Sequence, residues 1–531
     1  MADFTLTSGH IVTLTSDGLS NVFYEGENIA TGHVILWDGN FFYPRSHGSD
    51  WRPTVASKFI ASRTNGAVVT HCYTGLLNAT AIYYYTITGD EIQIDVTVAN
   101  RSQTTSIDYP TFCTPRLQFA VYGDAVASSN NLGHADTHLT SPELAYPCGT
   151  IPIACTYVAT VATGGAHINF AVWPREDPYE RFMTNEQTDT GSGFPLANIF
   201  FKSIPPGGSA NFKFSFLFSS STDWKVLMAP YKATIRALAP VTYSVDARPW
   251  IFFASIDSAL IREDNPYGYN DGNGTVTWRR LDTSEGCQAF VDLLLPAAAW
   301  ANYQGVLCWQ PQGVHPRGVS YRPDFDNWPT QANCATLFGG FTTATPARRF
   351  GLQARPGINI TAGNYTTDSV VKASDYAEAY ANFSARLDWA IGFDITAMYL
   401  DSFVSDLMDH KILKLMRGTV GADFAFYTEG STAASCPYSG IYTHFTYSSG
   451  NYVFDVNFPR LQWLYPDIGV FGKFSGSNPS GGLSQLFDDM MQLKLSPSVQ
   501  DYEAPSQTAG QPSAILKDLV PIYIDGDNQW L

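Results

Sequence analysis

Eight cysteines stand at 72, 113, 148, 155, 287, 308, 334 and 436. They form no CxxC pair and no Cys/His spacing of the zinc type, so no structural metal site is indicated. Cys148 and Cys155 are near enough to bridge a short loop in an oxidising compartment, and free buried thiols fit the spacing equally. Charge is scarce: 15% of residues are charged, with 31 Lys plus Arg against 48 Asp plus Glu, a net charge of −17. Nucleic-acid binders present a basic surface that releases counterions, so this balance argues against a nucleic-acid partner. No stretch approaches the run of about 20 apolar residues that spans a membrane. The opening MADFTLTSGHIVTLTSDG has no basic n-region and no apolar h-region. The expectation is a soluble chain with no membrane partner, cytoplasmic or virus-encoded and released. Tandem repeats, low-complexity tracts and a charged tail are also absent.

What remains is a folded chain of more than one domain. Hydrophobic residues make up 45% of the 531, enough to bury a core, and single cores stop growing near ~250–300 residues. Aromatic residues reach 14%, with 12 Trp and 29 Tyr. Most serve as core. Such rings also stack on the apolar faces of sugars while their polar ends hydrogen-bond.

Two rhythms divide the sequence. From residue 1 to 240, short alternating segments such as EIQIDVTVAN and NFKFSFLFSS are separated by turn clusters, which predicts an N-terminal antiparallel β-sandwich. From 241 to 531, apolar strands alternate with helical segments, the mark of parallel βα units. Eight candidate strands, PWIFFASI, YQGVLCWQ, RFGLQA, ITAMYLDS, DFAFYTEG, IYTHFTY, IGVFGKF and VPIYIDGD, suit a closed (β/α)8 TIM-type barrel. The segment SDYAEAYANFSARLDWAIG predicts a helix capped by Ser374 or Asp375 and ended by Gly392. A second helix is expected from about Val404 to Val420.

Active sites of parallel barrels lie at the carboxyl ends of the strands. Asp401 follows AMYL at the end of the fourth candidate strand, and Glu429 follows FAFYT at the end of the fifth. Neighbouring strands lie about 5 Å apart, so two acids 28 residues apart in sequence can meet at one bond. Glycoside hydrolysis needs such a pair, one carboxylate meeting the anomeric carbon and the other protonating the departing oxygen. Taken singly, Asp401 reads equally as a helix N-cap and Glu429 as a loop acid before Gly430. Barrel plans with an acid after strand six, or with paired Glu after strands four and seven, find no matching residue in SSGNYVF, YLDS or FGKFSG.

The run GFDITAMYLDS resembles the fourth-strand segment of retaining α-glycosidases, and GADFAFYTEG resembles their fifth-strand segment. A large β-domain ahead of the barrel is similar to the endo-α-N-acetylgalactosaminidase-like families. The resemblance covers about forty residues closely, and α-amylase signature motifs around the third and seventh strands are not evident. It implies that Asp401 is a nucleophile, Glu429 an acid/base and an α-linked glycan the substrate, with no organic cofactor.

Further candidates for binding substrate each have a plainer reading. Trp309 is a sugar platform or packs beneath its loop. Asp324 and Asp326 bind sugar hydroxyls, turn their loop or, by DxD spacing, take calcium. Arg355 steadies the nucleophile through a bidentate pair or bonds a loop carbonyl. Asp525 and Asp527 follow the last expected strand and bind substrate or orient Glu429. His444 faces the cavity or is a satisfied core histidine, and His315 and Arg317 are loop candidates. Tyr399 is expected to point away from Asp401 into packing. The competing function is a non-catalytic glycan-binding or viral structural protein on a decayed glycosidase barrel.

Overall fold

The computed structural model describes residues 1–32, 34–37, 55–63, 65–75, 77–108, 110–113, 116–117, 126–127, 156–160, 169–176, 183–186, 196–200, 202–221, 223–244, 246, 248–254, 284–300, 302–309, 331–354, 358–360, 370–372, 376–400, 407–429, 435–444, 446–448, 451–453, 458–475 and 496–501. The chain divides into two compact units, one of Met1–Pro240 with Thr432–Ala434 and one of Val241–Ser431 with Ser435–Leu531.

The first unit is built from antiparallel sheets. Period-two alternation forms its central strand Glu91–Asn100, where Ile92, Ile94, Val96 and Val98 are buried and the residues between them are partly exposed. That strand sits inside an eight-stranded sheet between Ser209–Phe218 and Ala79–Thr88. A four-stranded sheet contributes Phe112, whose ring lies 5.3 and 5.4 Å from those of Phe212 and Phe214. A five-stranded sheet begins with Ala2–Thr5 and Ile11–Thr15. His10 stacks on Tyr24 at 4.2 Å and lies 5.8 Å from Phe218, so aromatic rings fill the space between sheets.

His10 is fully buried, its Nδ1 2.8 Å from Ser8 Oγ. Burial lowers its pKa to about 4, with Asp90 pulling weakly upward. Because the folded value lies below the unfolded value of 6.5, the neutral ring's contribution is complete above pH 6.5 and is lost as pH falls toward 4. Calorimetry across this window should show a shallower acid loss of Tm in His10→Phe than in the parent chain. Equal slopes would remove His10 from the account.

The second unit contains a closed barrel of eight parallel strands, Trp250–Ala254, Gly305–Trp309, Arg349–Ala354, Ala397–Leu400, Ala425–Glu429, Gly440–His444, Val470–Ser475 and Ser496–Asp501, called strands one to eight. Following the paired residues once around from Phe252 returns to strand one eight residues earlier, at Ser244. This stagger of eight is the one that lets eight tilted strands close around a filled interior. Five helices lie between barrel strands among the described residues: Ser284–Trp300, Gln331–Thr342, Tyr376–Gly392, Leu407–Thr419 and Phe458–Leu464. They cover the outer face: Phe350 meets Phe338 and Phe341 at 4.9 and 5.3 Å, and Phe426 meets Phe383 at 5.9 Å.

Strand eight corrects the sequence expectation. Ser496–Asp501 closes the barrel against strands seven and one, whereas VPIYIDGD lies outside the described residues. SPSVQD lacks an apolar run and carries a proline. Its strand identity comes from the backbone partners waiting on both sides, not from local propensity.

The helix ends at Gly392 as expected, and the left-handed turn that stops it lies two residues on. The chain turns at Asp394, which has φ 58°, while Ile395 N donates to Ala390 O and Asp394 N to Ile391 O. Asn302, with φ 52°, repeats the motif after Ser284–Trp300. Both are Schellman stops in which Asp or Asn, tolerant of left-handed backbone, takes the place usual for Gly. Asp394→Gly should therefore stabilise the chain by about 0.5–1 kcal/mol in urea unfolding, and a loss of stability would contradict it.

Candidate active site at the carboxyl end of the barrel

Trp250, Leu307, Ala397, Tyr399, Ala425, Tyr427 and Phe471 form one buried cluster drawn from strands one, two, four, five and seven. Residues of strands that are not neighbours can touch only across the barrel interior, so these positions define the inward row of each strand. Within the cluster, Tyr427 meets Trp250 edge to face at 5.6 Å and Phe471 at 4.9 Å. These three residues, with Gly351, form a layer contributed by alternate strands. Small residues leave room for the rings. A Cβ on Gly440 would lie 2.9 Å from Tyr427 Cδ1, and one on Gly351 would lie 2.4 Å from Leu307 Cδ1.

The amino end of the barrel is closed by polar groups. Gln304 Nε2 donates to the carbonyls of Asp246 and Arg248, and Arg248 pairs with Asp246 at 2.6 Å. Burial pushes the Tyr427 phenol well above its ordinary range, and Arg349, Trp250 and Gln304 partly offset that rise. In parallel barrels the carboxyl end of the strands is the end that carries the active site.

Glu429 ends strand five two residues after Tyr427, on the inward row, and pairs in register with Tyr442 of strand six. Leu400, the last described residue of strand four, pairs with Thr428. An acid-bearing position thus stands at the carboxyl end of a closed parallel barrel.

The chain is similar in structure to alpha-N-acetylgalactosaminidase NagBb from Bifidobacterium bifidum. Against the ligand-free form the TM-score is 0.59 at 12% identity, covering 98% of this chain and 93% of that chain. Against its Gal-NHAc-DNJ complex the TM-score is also 0.59 at 12% identity, covering 99% and 96%. The fold is glycosidase-like. No family model matches the chain, and no curated protein matches it in sequence.

In this glycosidase-like barrel, the inward rows sort the sequence candidates. Trp309 ends strand two, two residues past Leu307. His444 ends strand six and pairs with Lys473. Both occupy inward-row positions at the carboxyl end, as Glu429 does. Asp401, Arg355, Asp324, Asp326, Asp525, Asp527, His315 and Arg317 lie outside the described residues. Strand eight ends at Asp501.

Tyr399 is 2% exposed and packed, but it belongs to the inward cluster. The expectation that it points away from the position of Asp401 fails because residues two apart on a strand share a face. The sequence reading missed Gln353 and Lys473, both on inward rows near the carboxyl end. Either face of VFGKFS can be the inner one until Phe471 is seen in the cluster.

Among the described residues, no group of three or more His, Cys, Asp or Glu could hold a metal ion, and no helix is long and apolar enough to cross a membrane. Cys287 and Cys436 are buried, and Cys148 and Cys155 lie outside the described residues.

Proposed function

We propose that the chain is a retaining glycoside hydrolase with a (β/α)8 barrel, cleaving an α-linked glycan with Asp401 as nucleophile and Glu429 as acid/base. One observation carries this reading: Tyr399 and Tyr427 lie in the buried interior cluster while Leu400 and Thr428 are register partners. If strand four continued its alternation by one residue, Asp401 would be the inward-row neighbour of Glu429, on strands about 5 Å apart. Side chains from neighbouring strand ends can converge on one bond, and retaining enzymes need their carboxyl groups roughly 5–5.5 Å apart.

Asp401 Oδ attacks the anomeric carbon as the glycosidic C–O bond breaks, and Glu429 gives its proton to the departing oxygen. Glu429, now a carboxylate, takes a proton from water, whose oxygen displaces Asp401 and restores both groups. Arg355 follows Ala354, the register partner of Leu400, and in this reading its role is to keep the nucleophile ionised. Trp309 and His444 belong to the row of Asp401 and contact the sugar. Asp324, Asp326, Asp525 and Asp527 are assigned to binding the sugar rather than to the bond-breaking steps.

The structural likeness puts α-linked N-acetylgalactosamine first among sugars to try. A panel of 4-nitrophenyl α- and β-glycosides, with NMR of the first anomer released, tests the reading. Release of the α-anomer from an α-glycoside is expected. Release of the β-anomer would make the enzyme inverting. Glycan binding without turnover of any substrate would favour the non-catalytic alternative.

A further inference from the structure

The amino end of the barrel holds more positive charge than negative. Arg349 opens strand three and Arg348 precedes it, while Asp246 and Arg248 lie just ahead of strand one, with strand two between them. Arg248 directs its guanidinium at Asp246. Its Nε donates to the two carboxylate oxygens at 3.0 and 3.1 Å, and its Nη2 donates to Oδ2 at 2.6 Å. Arg348 has no such partner: it is 5% exposed, and its Nε is buried without a hydrogen bond. Arg349 Nη1 is buried without one as well. Neither guanidinium pairs with a carboxylate among the described residues. A buried arginine is ordinarily paired, since it gives up hydration that only an acceptor replaces.

These groups lie within electrostatic reach of one another. Burial holds the Arg348 guanidinium below its ordinary range, the nearby Arg248 adds to that, and Asp246 opposes it. Tyr427 in turn feels both Arg349 and Asp246. The side chains of Arg248 and Asp246 keep 30% and 19% of their surface open, so an ion can enter from their side. We infer that the amino end of the barrel is a binding site for a divalent oxyanion of the phosphate class, taken up by Arg348 and Arg349 beside the Asp246–Arg248 pair. Three guanidiniums against one carboxylate leave a surplus of two positive charges, which a dianion balances. Its oxygens accept from the buried Nε and Nη1 that otherwise lack acceptors. The site is at the end of the barrel opposite Glu429, and the inference is independent of the hydrolase reading.

The test is scanning calorimetry of the full chain slightly above neutral pH, with inorganic phosphate replacing chloride at constant ionic strength. Tm should rise with phosphate and then level off, as binding to the folded state alone requires. Exclusion of salt from the protein surface gives instead a rise that does not saturate. Arg348→Met and Arg349→Met should each lose most of the saturating rise, and the exposed Arg101→Met should keep it. Titration calorimetry should show one phosphate per parent chain and about tenfold weaker binding in Arg348→Met. A rise that does not saturate, or a saturating one that survives in both variants, overturns the inference. A step of equal size with acetate overturns the assignment to a dianion. Arg348→Gln replaces Met if the Met variant fails to fold.

Discussion

Glu429→Gln should lower kcat/KM on an unactivated α-glycoside by on the order of 10²–10⁴-fold, the usual share of a positioned general acid. Asp401→Asn should lose at least as much on every substrate, because it removes the group that forms the covalent bond. The two variants separate on leaving group. A 2,4-dinitrophenyl glycoside departs without protonation, so Glu429→Gln should still form the glycosyl-enzyme and release a burst of phenol, while Asp401→Asn should give none. Azide separates them again by attacking from the face that each variant leaves open. A glycosyl azide of retained configuration is expected from Glu429→Ala, and one of inverted configuration from Asp401→Ala. Identical behaviour of the two variants would break the division of roles. Near-parent activity in either would end the proposal. The assignment depends on Tyr399 and Tyr427 both belonging to the interior cluster, since a slip of one residue in either strand would move one acid to the outer face.

The largest expected effect on stability is at Arg417, in the helix that leads into strand five. This arginine is 6% exposed, its guanidinium 4.6 Å over the Phe426 ring and 5.4 Å from that of Tyr243. It donates to the carbonyls of Phe424 at 2.7 Å and Gly421 at 3.4 Å, fastening the turn that starts the strand ending in Glu429. Burial lowers its pKa to about 10, and Tyr243 and Tyr427 act against that fall. Arg417→Ala should cost about 3 kcal/mol in denaturant unfolding, from a cavity between two rings and loss of the 2.7 Å bond to the Phe424 carbonyl. Arg417→Met should cost less, because it refills the space without a buried charge. Arg417→Lys should do worse than Met, since an ammonium keeps the desolvation penalty but lacks the planar fork that bridges two carbonyls. An alanine variant within about 0.5 kcal/mol of the parent, the range of ordinary surface changes, would show that the cation is not holding the turn.

The barrel was legible in sequence where strands are apolar. WIFFA, GVLCW, RFGLQA, AMYL and AFYTE are strands in the structure as expected. The helix Tyr376–Gly392 follows its pattern too, with Phe383, Leu387 and Ala390 buried on one stripe. SPSVQD was not legible, because a strand that closes a ring is specified by its neighbours' open hydrogen-bonding edges. The left-handed stops at Asp394 and Asn302 were not legible, since such a residue is visible only once the backbone turns. At the site, Glu429 could be named from its place after FAFYT. Lys473 could not, because nothing local tells which face of VFGKFS is inward.

Composition, period and the two acid-ended strands by themselves determined a β-rich first half, a barrel of parallel strands after it, and carboxylates as the residues to test. The tertiary structure decided which segment closes the barrel, which rows face inward and which positions share a layer. The reason is physical: hydrophobic period and turn chemistry act over a few residues, within reach of any reader of the chain. Register around a closed ring, by contrast, is a collective property, set by a stagger of eight residues that no single strand contains.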